Sequence, residues 1–320
     1  PEAVAVVLRR EPFPEDIGTY FGLLVHSSAM KQLVRVVGNL ARTDAPVLLF
    51  GESGVGKEMV ARALHLAGPR SVHPFVAFNC AALADDLVES ELFGHERGAF
   101  TGAHRDKRGR MELCGEGTLL LDEVGCLSPR VQAKLLRVLE TREFERVGGT
   151  RTLPFRGRVV SATNANLQEM VRNGAFRDDL YYRLRVVPVV VAPLRERRDD
   201  IIPLARYFMR QFSRSDAVDP LPPHLTTAAE AALVRHAWPG NVRELRSAIQ
   251  YALALGDGRR IDVHDLPPEF RDGPGPRGVE VADLRAMLLR HGNDRTKTAA
   301  ALGISRTTLW RRMRDQGLLG

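Results

Sequence analysis

The chain has 320 residues, 44% hydrophobic and 27% charged, with a formal net charge of +7 from 46 basic and 39 acidic side chains. That length predicts two or three domains with ample apolar material for packed cores. No run approaches the ~20 apolar residues of a membrane span, and the most apolar stretch, Leu184 to Leu194, is broken by Pro188 and Pro193. No basic-then-apolar leader is present, and the three Cys (80, 114, 126) lack CxxC spacing, so neither secretion, nor a disulfide framework, nor a zinc site is indicated. The expected location is the cytoplasm.

In chain order, residues 1–22 read as irregular, with Pro12, Pro14 and Gly18. Because Pro1 stands first rather than Met, this segment is expected to be the linker from an upstream regulatory domain. His26 to Arg42 carries apolar residues at Met30, Leu33, Val34 and Val37, a helical period. Buried strands are expected at Ala45–Phe50, Pro74–Asn79, Gly117–Asp122, Val159–Thr163 and Arg185–Val191. They alternate with helical stretches, which predicts an α/β core with a parallel sheet. After Pro193 the pattern is mostly helical to about Phe270, and Asp272 to Gly278 reads as a Gly/Pro linker.

Between the first strand and the next helix lies Gly51-Glu52-Ser53-Gly54-Val55-Gly56-Lys57-Glu58, a G-x-x-x-x-G-K phosphate loop. Its glycines let backbone N–H groups turn toward phosphate oxygens, the helix N-terminus adds its positive dipole end, and Lys57 reaches the β/γ-phosphates. The usual Ser/Thr is Glu58, so a Mg²⁺ ion would lean on water and on another carboxylate. The strand Gly117 to Leu121 ends in Asp122 and Glu123 at the carboxyl edge, where α/β sheets bind ligands. Asp122 would hold Mg²⁺ and its waters, and Glu123 would polarise an attacking water. Such a pair alone is also compatible with a capped acidic strand end.

Residues 276–320 hold nine basic and four acidic side chains, leaving only +2 for the rest of the chain. A basic terminal module on a nearly neutral body suits a nucleic-acid reader, though a solvated helical face would look alike. Val281, Leu284 and Leu288 give one helix, Thr298 to Leu302 a second, and Ser305 caps a third with Leu309 and Met313 inward. That is helix-turn-helix grammar, and the last helix offers Arg306, Thr307, Thr308, Arg311, Arg312 and Arg314 to DNA. A helical dimerisation module would share this outline.

Gly98-Ala99-Phe100-Thr101-Gly102-Ala103 has cations on both sides. It is either a glycine turn with Phe100 folded inward or an exposed aromatic anchor for a partner. From about residue 23 onward the chain resembles the AAA+ ATPase activators of sigma-54 RNA polymerase, the NtrC-like bacterial enhancer-binding proteins. That family carries GAFTGA, here 98–103, as its sigma-54 contact, and has Glu where other phosphate loops have Ser/Thr; Val55 stands where it more often has Thr.

The resemblance implies an AAA+ α/β subdomain (23–193), a helical lid (194–272), a linker (273–278) and a Fis-like helix-turn-helix (279–320). It nominates Asn79 as the residue coupling Glu123 to nucleotide state and Asn164 as sensor I. Arg177 and Arg183 become arginine fingers acting on a neighbour's ATP, and Arg243 becomes sensor II. It places a second loop, Arg142 to Gly149, beside GAFTGA. It further implies ATP and Mg²⁺, a dimer-to-hexamer homo-oligomer, upstream enhancer DNA and the sigma-54 holoenzyme as partners, and no membrane. A regulator using nucleotide only for assembly lacks a reason to keep GAFTGA, and an AAA+ unfoldase or helicase loader lacks a reason to carry the terminal module.

Overall fold

The computed structural model describes residues 18–213, 223–256 and 260–271, and beyond them positions 288, 294, 295, 297, 298, 309 and 313. These residues fall into two compact units: those up to Pro203 together with Pro239–Arg243, and those at Leu204–Trp238 and from Glu244 onward. Among the described residues, no helix is long and apolar enough to cross a membrane.

The first unit is built on five parallel strands: β1 (Val47–Phe50), β2 (Phe75–Asn79), β3 (Thr118–Asp122), β4 (Arg158–Thr163) and β5 (Val187–Val190), in the order β5-β1-β4-β3-β2. Every apolar run expected to be a strand is one. Pro46 and Pro74 lie just before their strands, the Pro74 carbonyl accepting a bond from Thr118 N–H, whereas Pro188 sits inside β5, an edge strand, where a missing N–H is tolerated. Helix α1 (Ser28–Leu40) leads into β1, and α2 (Lys57–Leu66), α3 (Asp85–Phe93), α4 (Arg110–Cys114), α5 (Pro129–Thr141), α6 (Leu167–Arg172) and α7 (Asp178–Leu184) connect the strands.

Side chains alternate along each strand, so the sheet feeds two cores. Leu119 and Leu121 of β3 pack with Phe93, Leu135 and Leu180 on one face; Leu120 packs with Leu49, Ala61, Leu64 and Val160 on the other. Near-continuous apolar strands are what a sheet covered on both faces requires. Leu120→Ala is expected to cost about 3 kcal/mol, because a central strand cannot collapse onto the vacated volume; a shift in urea midpoint checks it.

Residues 18–22 differ from the expected linker. Gly18–Tyr20 pairs antiparallel with Leu23–Val25 across a two-residue turn, where Phe21 and Gly22 have φ of 47° and 86°. Three-residue strands are too short to leave a periodic signal, and the turn pair is Phe-Gly rather than Asn-Gly.

The second unit is helical, as its sequence suggests: the remainder of α8 (Ile201–Phe212), then α9 (Thr227–Arg235), α10 (Asn241–Leu255) and α11 (Pro268–Arg271). A short parallel pair, His224–Leu225 with Arg260–Ile261, was not legible. Trp238 is completely buried, with its Nε1–H bonded to Leu233 O at 2.9 Å and its ring against His236 and Phe270. Leu288, Leu309 and Met313 are buried, in keeping with the inward stripes read for the C-terminal helices. The nominated DNA-contacting residues Arg306, Thr307, Thr308, Arg311, Arg312 and Arg314 lie outside the described residues.

Candidate nucleotide site and exposed glycine loop

Strand β1 delivers the chain into the phosphate loop at the carboxyl edge of the sheet, and α2 starts at Lys57. Gly54 and Gly56 have φ of 78° and 104°, left-handed values that side chains resist. Gly54 is constrained twice, since a Cβ there would collide with the Gly240 carbonyl. Lys57 is only 6% exposed, and its ammonium donates to Gly51 O at 2.8 Å and Glu52 O at 3.4 Å. Glu58 turns to Arg62, one helical turn on, with Nη2 to Oε1 at 2.9 Å.

Strand β3, two positions away in the sheet, brings Asp122 and Glu123 to the same edge. Glu123 has a φ of 54°, a conformation costing about 1–3 kcal/mol that recurs at functional sites. That turn sets its carboxylate between two donors: Lys57 Nζ lies 3.5 Å from Oε1, and the Asn164 N–H at the end of β4 donates to Oε2 at 3.1 Å. Burial, and then the adjacent Glu123 carboxylate, push Asp122 above the usual carboxylate range. Asn79 is the strand partner of Asp122, and its side-chain oxygen accepts from Ala81 N–H at 2.8 Å, not from a group on Glu123.

The segment at 239–243 closes over the loop. Arg243 Nη1 donates to Ser53 Oγ at 2.9 Å, and the Val242 N–H donates to Gly54 O at 3.0 Å. Three residues here were not nominated from the sequence, although Asn241 lies in the Trp238-Pro-Gly-Asn-Val-Arg243 segment that nominated Arg243. Asn241, wholly buried, donates from Nδ2 to Glu52 Oε2 and Ser53 O, both at 3.1 Å, and accepts from Leu194 N–H at 2.8 Å. Arg195 grips Glu52 through two bonds of 2.8 and 2.6 Å. Arg197, buried, donates to Val55 O at 2.8 Å. Arg195 and Arg197 had no advance signal beyond following Pro193.

Arg177 and Arg183 stand elsewhere, around α7. Arg177, 47% exposed, forms a fork with Asp179 at 3.0 and 2.7 Å, and Arg183 Nη2 donates to Leu139 O at 3.1 Å. Neither engages the phosphate loop of its own chain.

The loop at 98–103 closes through Gly98 N–H to Ala103 O (2.9 Å) and Ala103 N–H to Phe100 O (3.0 Å), with Gly98 and Gly102 at φ of 84° and 103°. Phe100 is 40% exposed and rests edge-on against His95, ring centroids 5.0 Å apart, so it is not folded into a core. Thr101 is exposed, whereas Ala103 is buried and belongs to the loop's foundation. The second loop does lie alongside: Val147 N–H donates to Gly94 O and Glu96 N–H to Val147 O, and a Cβ on Gly148 would press on Ala99. Arg146 forks onto Glu112 at 2.9 and 2.7 Å, tying that loop to α4.

Three family models match the chain: the Sigma-54 interaction domain over residues 23–190, the AAA+ ATPase lid domain over 195–293, and the Fis-family bacterial regulatory protein over 277–315. The chain is 44% identical over 316 residues to the transcriptional regulatory protein ZraR of Klebsiella oxytoca, covering 94% of this chain and 70% of ZraR. It is 42% identical over 314 residues to the regulatory protein AtoC of Escherichia coli K12, covering 92% and 68%. Among solved structures, NtrX from Brucella abortus in complex with ADP is similar with a TM-score of 0.73 at 35% identity, over 92% of this chain and 70% of that one; the same protein is also solved in complex with ATP. The chain therefore belongs to the sigma-54-dependent transcriptional activators, with a sigma-54 interaction domain on an AAA+ fold, an AAA+ lid and a Fis-type helix-turn-helix.

Proposed function

We propose that this chain is an ATPase that binds upstream DNA, assembles into a hexameric ring, and couples ATP hydrolysis to remodelling of the sigma-54 RNA polymerase closed complex into an open one. The observation that carries this reading is the Glu123 carboxylate, held between Lys57 and the Asn164 N–H at the mouth of the phosphate loop. NtrX, similar to this chain, is solved with ATP, which supports the same substrate here.

The Gly51–Glu58 backbone N–H groups and Lys57 would take the β/γ-phosphates, with Arg243 reaching them from beyond Ser53. Glu123 would accept the proton of the attacking water, oriented through Asn164, and Asn79 beside Asp122 would relay nucleotide state. Asp122 fits a magnesium ion held through water: it is a carboxylate at the carboxyl edge of the sheet whose charge is disfavoured by burial and by the like-charged Glu123 beside it. When bound, such an ion offsets charge on the phosphate oxygens and keeps most of its own waters. Arg177 and Arg183, bonded to Asp179 and to Leu139 O rather than to their own phosphate loop, suit a neighbouring subunit's ATP across a closed ring.

Gly98 to Gly102 would form the sigma-54 contact, with Phe100 and Thr101 at its tip. In transcription reconstituted with purified sigma-54 holoenzyme, heparin-resistant open complexes are expected with ATP and not with a non-hydrolysable analogue. Equal yields with both would overturn the reading. Phe100→Ala is expected to retain ATPase activity while open-complex yield falls about thirtyfold, the scale of one aromatic hot spot; an undiminished yield would remove the loop from the contact.

A further inference from the structure

An acid in an anion-binding loop needs explaining, because a carboxylate there repels the phosphates that the loop exists to hold. The phosphate loop has two, and each carries its own arginine. Glu58 is met by Arg62 from the next turn of α2. Glu52 is met by Arg195, distant in sequence, whose guanidinium takes both carboxylate oxygens. Asn241 adds a third donor on Oε2. Hydrogen bonds from Arg195, then from Asn241, pull the Glu52 carboxyl down to about 2. It is therefore charged at every physiological pH, and the charge can be cancelled only by a partner.

Asn241 also fixes where that partner stands. Its Oδ1 accepts from the N–H of Leu194, the residue before Arg195, while its Nδ2 bonds Glu52 and Ser53 O. The amide is wholly buried on a left-handed residue (φ 51°), so the arrangement is held by backbone as well as by side chain. An exposed ion pair such as Glu52–Arg195 adds little to folding stability. Its effect falls instead on the field felt by an anion entering the loop.

We infer that Arg195 and Asn241 are positioning residues that set ATP affinity by neutralising Glu52, without Arg195 itself touching the nucleotide. This rests on the nucleotide-binding reading above. Removing Arg195 leaves Glu52 uncompensated and weakens binding; removing the Glu52 charge leaves an unpaired cation near the phosphates and strengthens it; removing both returns the loop to neutrality.

The test is a double-substitution cycle on the full chain. It is read by the Kd of a fluorescent ATP analogue, by KM and kcat for ATP, and by thermal melting. Arg195→Ala is expected to raise Kd and KM about tenfold, with kcat nearly unchanged and a shift that shrinks as salt screens it. Glu52→Gln should move Kd the opposite way. The double variant Glu52→Gln/Arg195→Ala should return to within about threefold of the unaltered protein, and Arg195→Lys, which keeps charge but loses the fork, should lie between. An unchanged Kd in Arg195→Ala overturns the inference. A double variant as weak as Arg195→Ala overturns it in favour of direct contact between Arg195 and nucleotide. If Arg195→Ala does not fold, Glu52→Gln decides by itself, since looser binding there contradicts the charge account. An unaltered protein that binds no analogue would instead overturn the nucleotide reading beneath it.

Discussion

Glu123→Gln should bind ATP as well as the unaltered protein does and lose about 10³-fold in turnover, whereas Lys57→Ala should lose binding itself. The two outcomes differ because the two side chains meet at 3.5 Å but hold different things. Glutamine keeps an acceptor for the Asn164 N–H, so the shape at the end of β4 survives. What it cannot do is take a proton, and a general base is worth about 10²–10⁴ in rate. Lys57 is nearly buried and braces two loop carbonyls before any phosphate arrives. Alanine leaves those carbonyls and Glu123 without their cation, so the loop loses both its shape and its charge. A drop in affinity of about a hundredfold is the scale of one lost charge-assisted contact. Analogue binding and phosphate release measured side by side separate the two variants. Turnover surviving in Glu123→Gln would take the base role away from that residue.

Arg177→Ala should keep nucleotide binding and lose turnover by about 10³ or more, within the range found for arginine fingers in other NTPases. The basis is geometric. Arg177 is exposed, held by the fork to Asp179, and engages nothing at its own phosphate loop. Arg183 stands on α7, which Arg177 precedes, and donates to the Leu139 carbonyl; alanine there should behave in the same direction. Mixing provides the decisive measurement. Lys57→Ala and Arg177→Ala proteins, each inactive alone, should recover part of the activity when combined. In the proposed ring, mixing would create interfaces where an intact Arg177 from one protein faces an intact phosphate loop from the other. Absence of any recovery, with binding intact in Arg177→Ala, would mean that the arginine serves its own chain.

How much of this was legible beforehand follows from the range of the forces involved. The five strands are apolar runs bounded by turn residues, and burial on both faces writes that pattern into consecutive positions. The phosphate loop is equally local, because glycine at left-handed positions and a lysine at the helix start are needed whatever lies elsewhere in the chain. Even Glu58, which looks like a defect in that motif, is compatible with its position once Arg62 pairs with it one turn away. The 18–25 hairpin escaped notice because three-residue strands carry too little periodicity to register.

The sequence by itself determined the five strands, the α/β class and the position of the phosphate loop, and it nominated the residues proposed to carry the chemistry. Only the tertiary structure decided what those residues touch. Whether Phe100 was core or exposed depended on His95 and on a loop closed by backbone bonds. The bridge from Lys57 through Glu123 to Asn164 depended on β4 lying between β1 and β3. The pairing of Glu52 with Arg195 and Asn241 joins positions that share no periodicity. The physical reason is the same in each case. Dihedral preference and hydrophobic period act over a few residues and are recorded locally. An ion pair or an amide bridge between distant segments exists only after the sheet order has brought them within about 3 Å of each other.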